Sequence, residues 1–69
     1  MKLSARNQLN GTVTSIRKGE AIANVALDVA GQRLVASITV EAVEELGLAE
    51  GKQVTAVIKA SDVIIATQD

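Results

Sequence analysis

Ser4 and Arg6 stand two residues apart, where a segment of alternating apolar residues begins. In an extended chain, residues two apart project from the same face, so this hydroxyl and guanidinium would be presented together. Both donate hydrogen bonds, and the guanidinium carries a permanent positive charge. A small oxyanion, which accepts hydrogen bonds from several sides, is the object such a pair suits. An isolated Ser-x-Arg is ordinarily a turn serine and an arginine in a surface ion pair.

Other chemistry is sharply limited by composition. The chain has no Cys and no His, so the usual soft and borderline ligands for zinc, copper or iron are missing. A catalytic centre built on either residue is excluded. The acidic residues are scattered and keep no EF-hand spacing. Glu41, Glu44 and Glu45 have no partner acid or nucleophile nearby in sequence and read as the wet face of a helix. Arg17-Lys18-Gly19 reads as a charged hairpin tip. Nothing in the chain points to an enzyme.

The 69 residues allow one domain, 1–69, with a small core. Hydrophobic residues make up 48% of the chain, yet there is no Phe, Tyr or Trp, so Val, Ile, Leu and Ala must build that core. Cores of this size rarely supply more than a few kcal/mol unaided. With no disulfide to help, the composition predicts self-association. The net charge of −1 is not the footprint of a nucleic-acid binder. No apolar run is long enough for a membrane span, and no signal-peptide pattern is visible, so the expected compartment is the cytoplasm.

The alternation predicts the elements that position the candidate donors. Leu9, Gly11 and Val13 form one face of a first strand, with a bulge ahead of Ile16. Arg17 to Glu20 turn the chain, with Gly19 available for a positive φ. Ala21, Ala23, Val25, Leu27 and Val29 line a second strand. Ala30-Gly31-Gln32 turns into a third, with Leu34, Ala36 and Ile38 facing inward. Thr39 caps a helix from Val40 to Leu46, and Glu41 suits its first turn. Gly47 ends it in the left-handed conformation, with Leu48 packing back towards Val43. Val54, Ala56 and Ile58 are the inner face of a fourth strand. Ser61-Asp62 is a tight turn, and Val63 to Thr67 a fifth strand. This all-β order with one short helix matches a five-stranded, OB-like Greek-key barrel, although periodicity alone does not show closure.

Three segments carry a family resemblance. The run Ser4-Ala5-Arg6-Asn7-Gln8-Leu9-Asn10-Gly11 resembles the opening signature of the molbindins (the Mop family), small cytoplasmic molybdate-binding proteins of bacteria. Val57-Ile58-Lys59-Ala60-Ser61-Asp62-Val63 resembles their closing segment. Ala36-Ser37-Ile38-Thr39, followed by the acidic helix and Leu46-Gly47-Leu48, is similar to the part between. The resemblance implies the OB-like fold, a hexamer with ligands between subunits, and molybdate or tungstate as the ligand, with no cofactor. It also implies ligand roles for Ser4, Arg6 and Lys59. Thr39 rests on a similar Ser-Ile-Thr segment in related regulators.

A molybdate dianion accepts hydrogen bonds and donates none, so its ideal site contains donors only. Arg6 and Lys59 would bring charge, and Ser4 and Thr39 hydroxyls. The backbone N–H groups of Ala5 and Ala60 would complete the shell, with Ser61 as a further donor. Each residue also has a simpler reading: Lys59 as a solvated strand residue, Thr39 as a cap, Ser61 as a turn residue. Two other classes of function compete. A nucleic-acid-binding OB module would need stacking aromatics and a positive groove, and this chain has neither. A stand-alone structural module would oligomerise without binding an anion, and the donor cluster argues against it.

Overall fold

A computed structural model describes residues 2–68. Three strands follow one another as hairpins: β1 (Asn7–Lys18), β2 (Ile22–Val29) and β3 (Gln32–Thr39). A short helix, α1 (Val40–Glu45), leads to β4 (Gln53–Ile58), and a single 3-10 turn (Ala60–Asp62) follows. The sheet order is β3-β2-β1-β4 and every neighbouring pair is antiparallel. A fourth strand that returns beside the first gives the Greek-key order.

The predicted bulge is present. Val13 pairs with Leu27 and Ser15 with Ala26, so Thr14 is the extra residue. Its hydroxyl donates to the Ala26 carbonyl at 3.1 Å. The insertion moves the inward position of β1 from Val13 to Ile16, which packs on the core. At the Ala30-Gly31 turn both residues have positive φ, 51° and 85°. Val29 pairs with Gln32 across it, which makes a two-residue turn of the primed kind. Gly19, by contrast, does not take a positive φ among the described residues. Arg17 and Lys18 remain in β1, and the loop closes through the Gly19 N–H donating to the Ile22 carbonyl at 2.8 Å.

Helix α1 ends at Glu45, with Leu46 as its cap rather than its last residue. At its start the Ala42 N–H donates to the Thr39 hydroxyl at 3.0 Å. At its end Leu48 N–H donates to the Val43 carbonyl at 3.0 Å and Gly47 N–H to that of Glu44 at 3.1 Å, with Gly47 at φ 62°. That is the Schellman arrangement the sequence predicts. It buries Val43 against Val13, Ala23, Val25 and Leu27, the centre of the core. No polar or charged residue is buried among the described residues.

The predicted closed barrel of five strands is not formed by the chain alone. Four strands make an open sheet, with β3 and β4 as unpaired edges. Val63 to Thr67, expected as the fifth strand, lies outside the sheet. A run of apolar, β-branched residues favours an extended segment, but a strand exists only where an edge accepts its hydrogen bonds, and this segment joins neither edge as a strand. Between β3 and β4 an apolar cavity of about 320 Å³ stays open, walled by residues such as Leu34, Ala36, Ile38, Val54, Ala56 and Ile58. At the other end of the sheet β1 outruns β2. The pairing with β2 begins at Thr12, whereas Asn7 to Asn10 pair with β4 only.

Candidate oxyanion-binding site

The last pair of the β1–β4 ladder is Asn7 with Ile58. Continuing that register by one residue sets Arg6 opposite Lys59. Residues directly opposite on an antiparallel pair share a face, and like charges placed so repel. The two cations of the opening and closing motifs, more than fifty positions apart in sequence, are thus carried by the two segments that leave the same end of one ladder. Both are exposed.

The neighbouring donors come from the same two segments. Ser4 stands at a bend just before the strand and is exposed, and Ala5 is half-buried beside it. After Lys59 the chain enters the 3-10 turn. The turn's bonds run from Asp62 N–H to the Lys59 carbonyl at 2.9 Å and from Val63 N–H to the Ala60 carbonyl at 3.3 Å. The amides of Ala60 and Ser61 therefore lie at its amino-terminal edge, where the turn itself offers them no acceptor. The Ser61 hydroxyl is exposed. These charge, hydroxyl and amide donors all lie on the two segments that leave this end of the β1–β4 ladder.

Thr39 is elsewhere. It pairs with Ile22 at the far end of the sheet, beyond the pair of Lys18 with Ala23. The twelve residues of β1 lie between it and Arg6 and span on the order of 30–40 Å. A single anion cannot touch both within one chain. The Thr39 oxygen already accepts from Ala42, which leaves its proton to donate outward.

The register also reveals polar contacts that the alternation does not announce. Gln53 Nε2 donates to the Thr12 hydroxyl at 3.0 Å, and the Thr55 hydroxyl to Asn10 Oδ1 at 3.4 Å. These outward pairs stitch β4 to β1 further along the same ladder. No group of His, Cys, Asp and Glu among the described residues is arranged to hold a metal cation. No helix is long and apolar enough to cross a membrane.

An open Greek-key sheet with a donor cluster at one ladder end defines a small β module, and its relatives identify the class. The chain belongs to the TOBE domain family, whose model matches residues 3–65. Molybdenum-pterin-binding protein 1 of Clostridium pasteurianum is 50% identical over 66 residues, 94% of this chain and 97% of that protein. A molybdate-binding protein from Sporomusa ovata superposes with a TM-score of 0.93 at 42% identity, covering 97% of this chain and 100% of its own. ModG, a cytoplasmic molybdate-binding protein whose structure holds molybdate, matches with a TM-score of 0.84 at 44% identity, over 87% of this chain and 43% of its own. The molbindin resemblance of the three sequence segments is thereby borne out along nearly the whole chain.

Proposed function

We propose that this chain is one domain, 1–69, that binds molybdate, and tungstate with it, through a shell of donors at subunit interfaces. What supports the reading is the β1–β4 register, which ends at Asn7 with Ile58 and, continued by one residue, would bring Arg6 opposite Lys59, in a chain whose relatives bear molybdenum- and molybdate-binding names. Two cations held opposite one another are unfavourable until an anion lies between them. Ser4, Ser61 and the amides of Ala5 and Ala60 add neutral donors. Thr39 joins only from a neighbouring subunit, because its own chain holds it at the opposite end of the sheet.

Selectivity follows from the same inventory. Phosphate near neutral pH often carries a proton, and a donor-only shell leaves that proton without an acceptor, which costs free energy. Sulfate is a full dianion, so size alone separates it. The candidate donors are exposed in the single chain, and screening by water weakens charge-assisted bonds there. Covering by a second subunit would dry the shell, and the assembly we propose is a hexamer. Its role is storage and buffering of the oxyanion in the cytoplasm, without catalysis.

Calorimetric titration with molybdate, tungstate, sulfate and phosphate, paired with native mass spectrometry, tests the reading. The expected result is micromolar or tighter binding of the first two, about −8 kcal/mol, on a six-subunit species. Equal affinity for phosphate, or no heat with molybdate, rejects the site.

A further inference from the structure

Asn10 and Gly11 are neighbours in β1, and that dipeptide is chemically reactive. The backbone nitrogen that follows an asparagine can attack its side-chain amide, and only glycine puts no Cβ beside that nitrogen. Asn7 precedes Gln8 and Asn24 precedes Val25, so Asn10 alone among the asparagines has the open neighbour. Packing requires the glycine, because a Cβ at Gly11 would meet Val29 and the Asp28 carbonyl. The sheet thus fixes the residue that exposes Asn10 to attack.

The sheet also holds the reaction back. Val13 N–H donates to the Lys52 carbonyl at 3.0 Å. Bonded pairs alternate with non-bonded pairs along an antiparallel ladder, so Gly11 with Val54 is the next bonded pair and Asn10 with Thr55 is not. The Gly11 nitrogen is engaged with β4, and the extended backbone turns it away from the Asn10 side chain. The pairing of β1 with β2 begins only at Thr12. A single ladder, in the part of the sheet two strands wide, therefore restrains Asn10. Its side chain is exposed. The Thr55 hydroxyl donates to Oδ1 at 3.4 Å, which draws electrons from Cγ without holding Nδ2, the leaving group.

We propose that Asn10 is a self-modification site, converting to aspartate and isoaspartate when the β1–β4 ribbon opens at Gly11. The Gly11 nitrogen gives its proton to solvent base and bonds to Asn10 Cγ, closing an imide ring. The Cγ–Nδ2 bond breaks, and ammonia leaves with a proton from water. Water then adds to either imide carbonyl. Opening at Cγ gives aspartate, and opening at the main-chain carbonyl gives isoaspartate. The net exchange is water taken up for ammonia lost. Isoaspartate carries an extra backbone carbon, which displaces everything before Gly11 relative to β4, including the Asn7–Ile58 pair and the Arg6 arm. Release of that arm is irreversible. A loss of anion binding on release rests on the oxyanion reading above; the modification itself does not.

Peptide mapping by mass spectrometry tests it on the whole ligand-free protein aged in mildly alkaline buffer, with the same chain aged in urea as reference. Gly11 amide exchange is measured on the native protein. Asn10 is expected to gain the mass difference between a hydroxyl and an amino group in both samples, ahead of Asn7 and Asn24. An isoaspartate methyltransferase is expected to label the product. The native rate should fall below the urea rate by the protection factor of the Gly11 amide. Asn10→Gln should abolish the change, because its longer side chain closes a less favourable ring. Native Asn10 that stays intact while the urea sample converts overturns the proposal, as does earlier modification at Asn7 or Asn24, or a native rate uncoupled from Gly11 exchange. The isoaspartate form, separated by chromatography, is then titrated with molybdate. Weaker binding than by the fresh parent supports release of the arm, and equal binding overturns it. A fresh parent that binds no molybdate rejects the oxyanion reading, while mass and exchange still decide the modification.

Discussion

Lys52 donates from Nζ to the carbonyl of Leu46 at 2.7 Å, reaching back over the loop that joins α1 to β4. It also meets the Gly47 carbonyl at 3.2 Å. Helix α1 has no basic residue in its last turn, so this lysine supplies the positive charge that its carboxyl end favours. Lys52→Met keeps the stem and removes the charge. It is expected to cost about 0.3–1 kcal/mol, and the loss should shrink in high salt. Urea unfolding at two salt concentrations measures both. An unchanged midpoint at low salt would assign the contact no energetic role.

Gly11 is placed by a close approach rather than by an unusual dihedral. A Cβ there would stand 2.9 Å from Val29 Cγ2 and 3.0 Å from the Asp28 carbonyl oxygen. The valine methyl can rotate away, but the carbonyl moves only with β2. Gly11→Ala is expected to destabilise the fold by about 1–3 kcal/mol, the usual cost of overpacking. Thermal unfolding of the variant at matched concentration checks this, and a melting temperature equal to the parent's contradicts it.

Ala30 is a non-glycine residue held at φ 51°, in a turn whose two positions both need positive φ. A left-handed alanine costs roughly 1–2 kcal/mol, and asparagine tolerates that region better. Ala30→Asn is expected to stabilise the protein by about 0.5–1 kcal/mol. A loss of stability in chemical denaturation would mean that the turn has a different strain.

Arg6→Ala and Lys59→Ala are each expected to weaken molybdate binding by about 1.5–3 kcal/mol, roughly 10- to 150-fold. Ser4→Ala should cost about 0.5–1.5 kcal/mol, as for a neutral donor. Removing either cation should leave the ligand-free fold as stable as before or slightly more so, because repulsion is relieved. Calorimetric titrations and ligand-free melts of the same variants separate the two roles. Variants that bind like the parent remove these residues from the site, and variants that unfold without ligand make the cations structural.

Much of this was legible in residue order because the controlling interactions are local. Thr39 as cap, Gly47 and Leu48 as helix stop, and the bulge before Ile16 each depend on a few neighbouring residues. That Arg6 and Lys59 leave the same end of one ladder was readable only with a topology, since it depends on β4 returning beside β1. The fifth strand failed for a physical reason. The apolar, β-branched run Val63-Ile64-Ile65 says that the segment suits a sheet, not which edge receives it. Gly19 is a different case: a glycine permits a positive φ without requiring one, whereas Ala30 adopts it because the two-residue turn leaves no choice. Lys52 could not be anticipated as a cap, because its reach depends on how the loop folds.

The overhang of β1 beyond β2 has a consequence for motion. From Asn7 to Asn10 the sheet is only two strands wide, and a two-stranded ribbon is marginal in water without further support. If Arg6 and Lys59 stand opposite one another at its free end, as proposed, they push each other apart there, and this corner is the place where the sheet should fray first. An anion seated between them would act as a clasp, exchanging repulsion for attraction at the point of fraying. Occupancy would then be written in time rather than in shape: slower amide exchange around Asn7 and Ile58, with the core about Val25 and Val43 indifferent to the ligand.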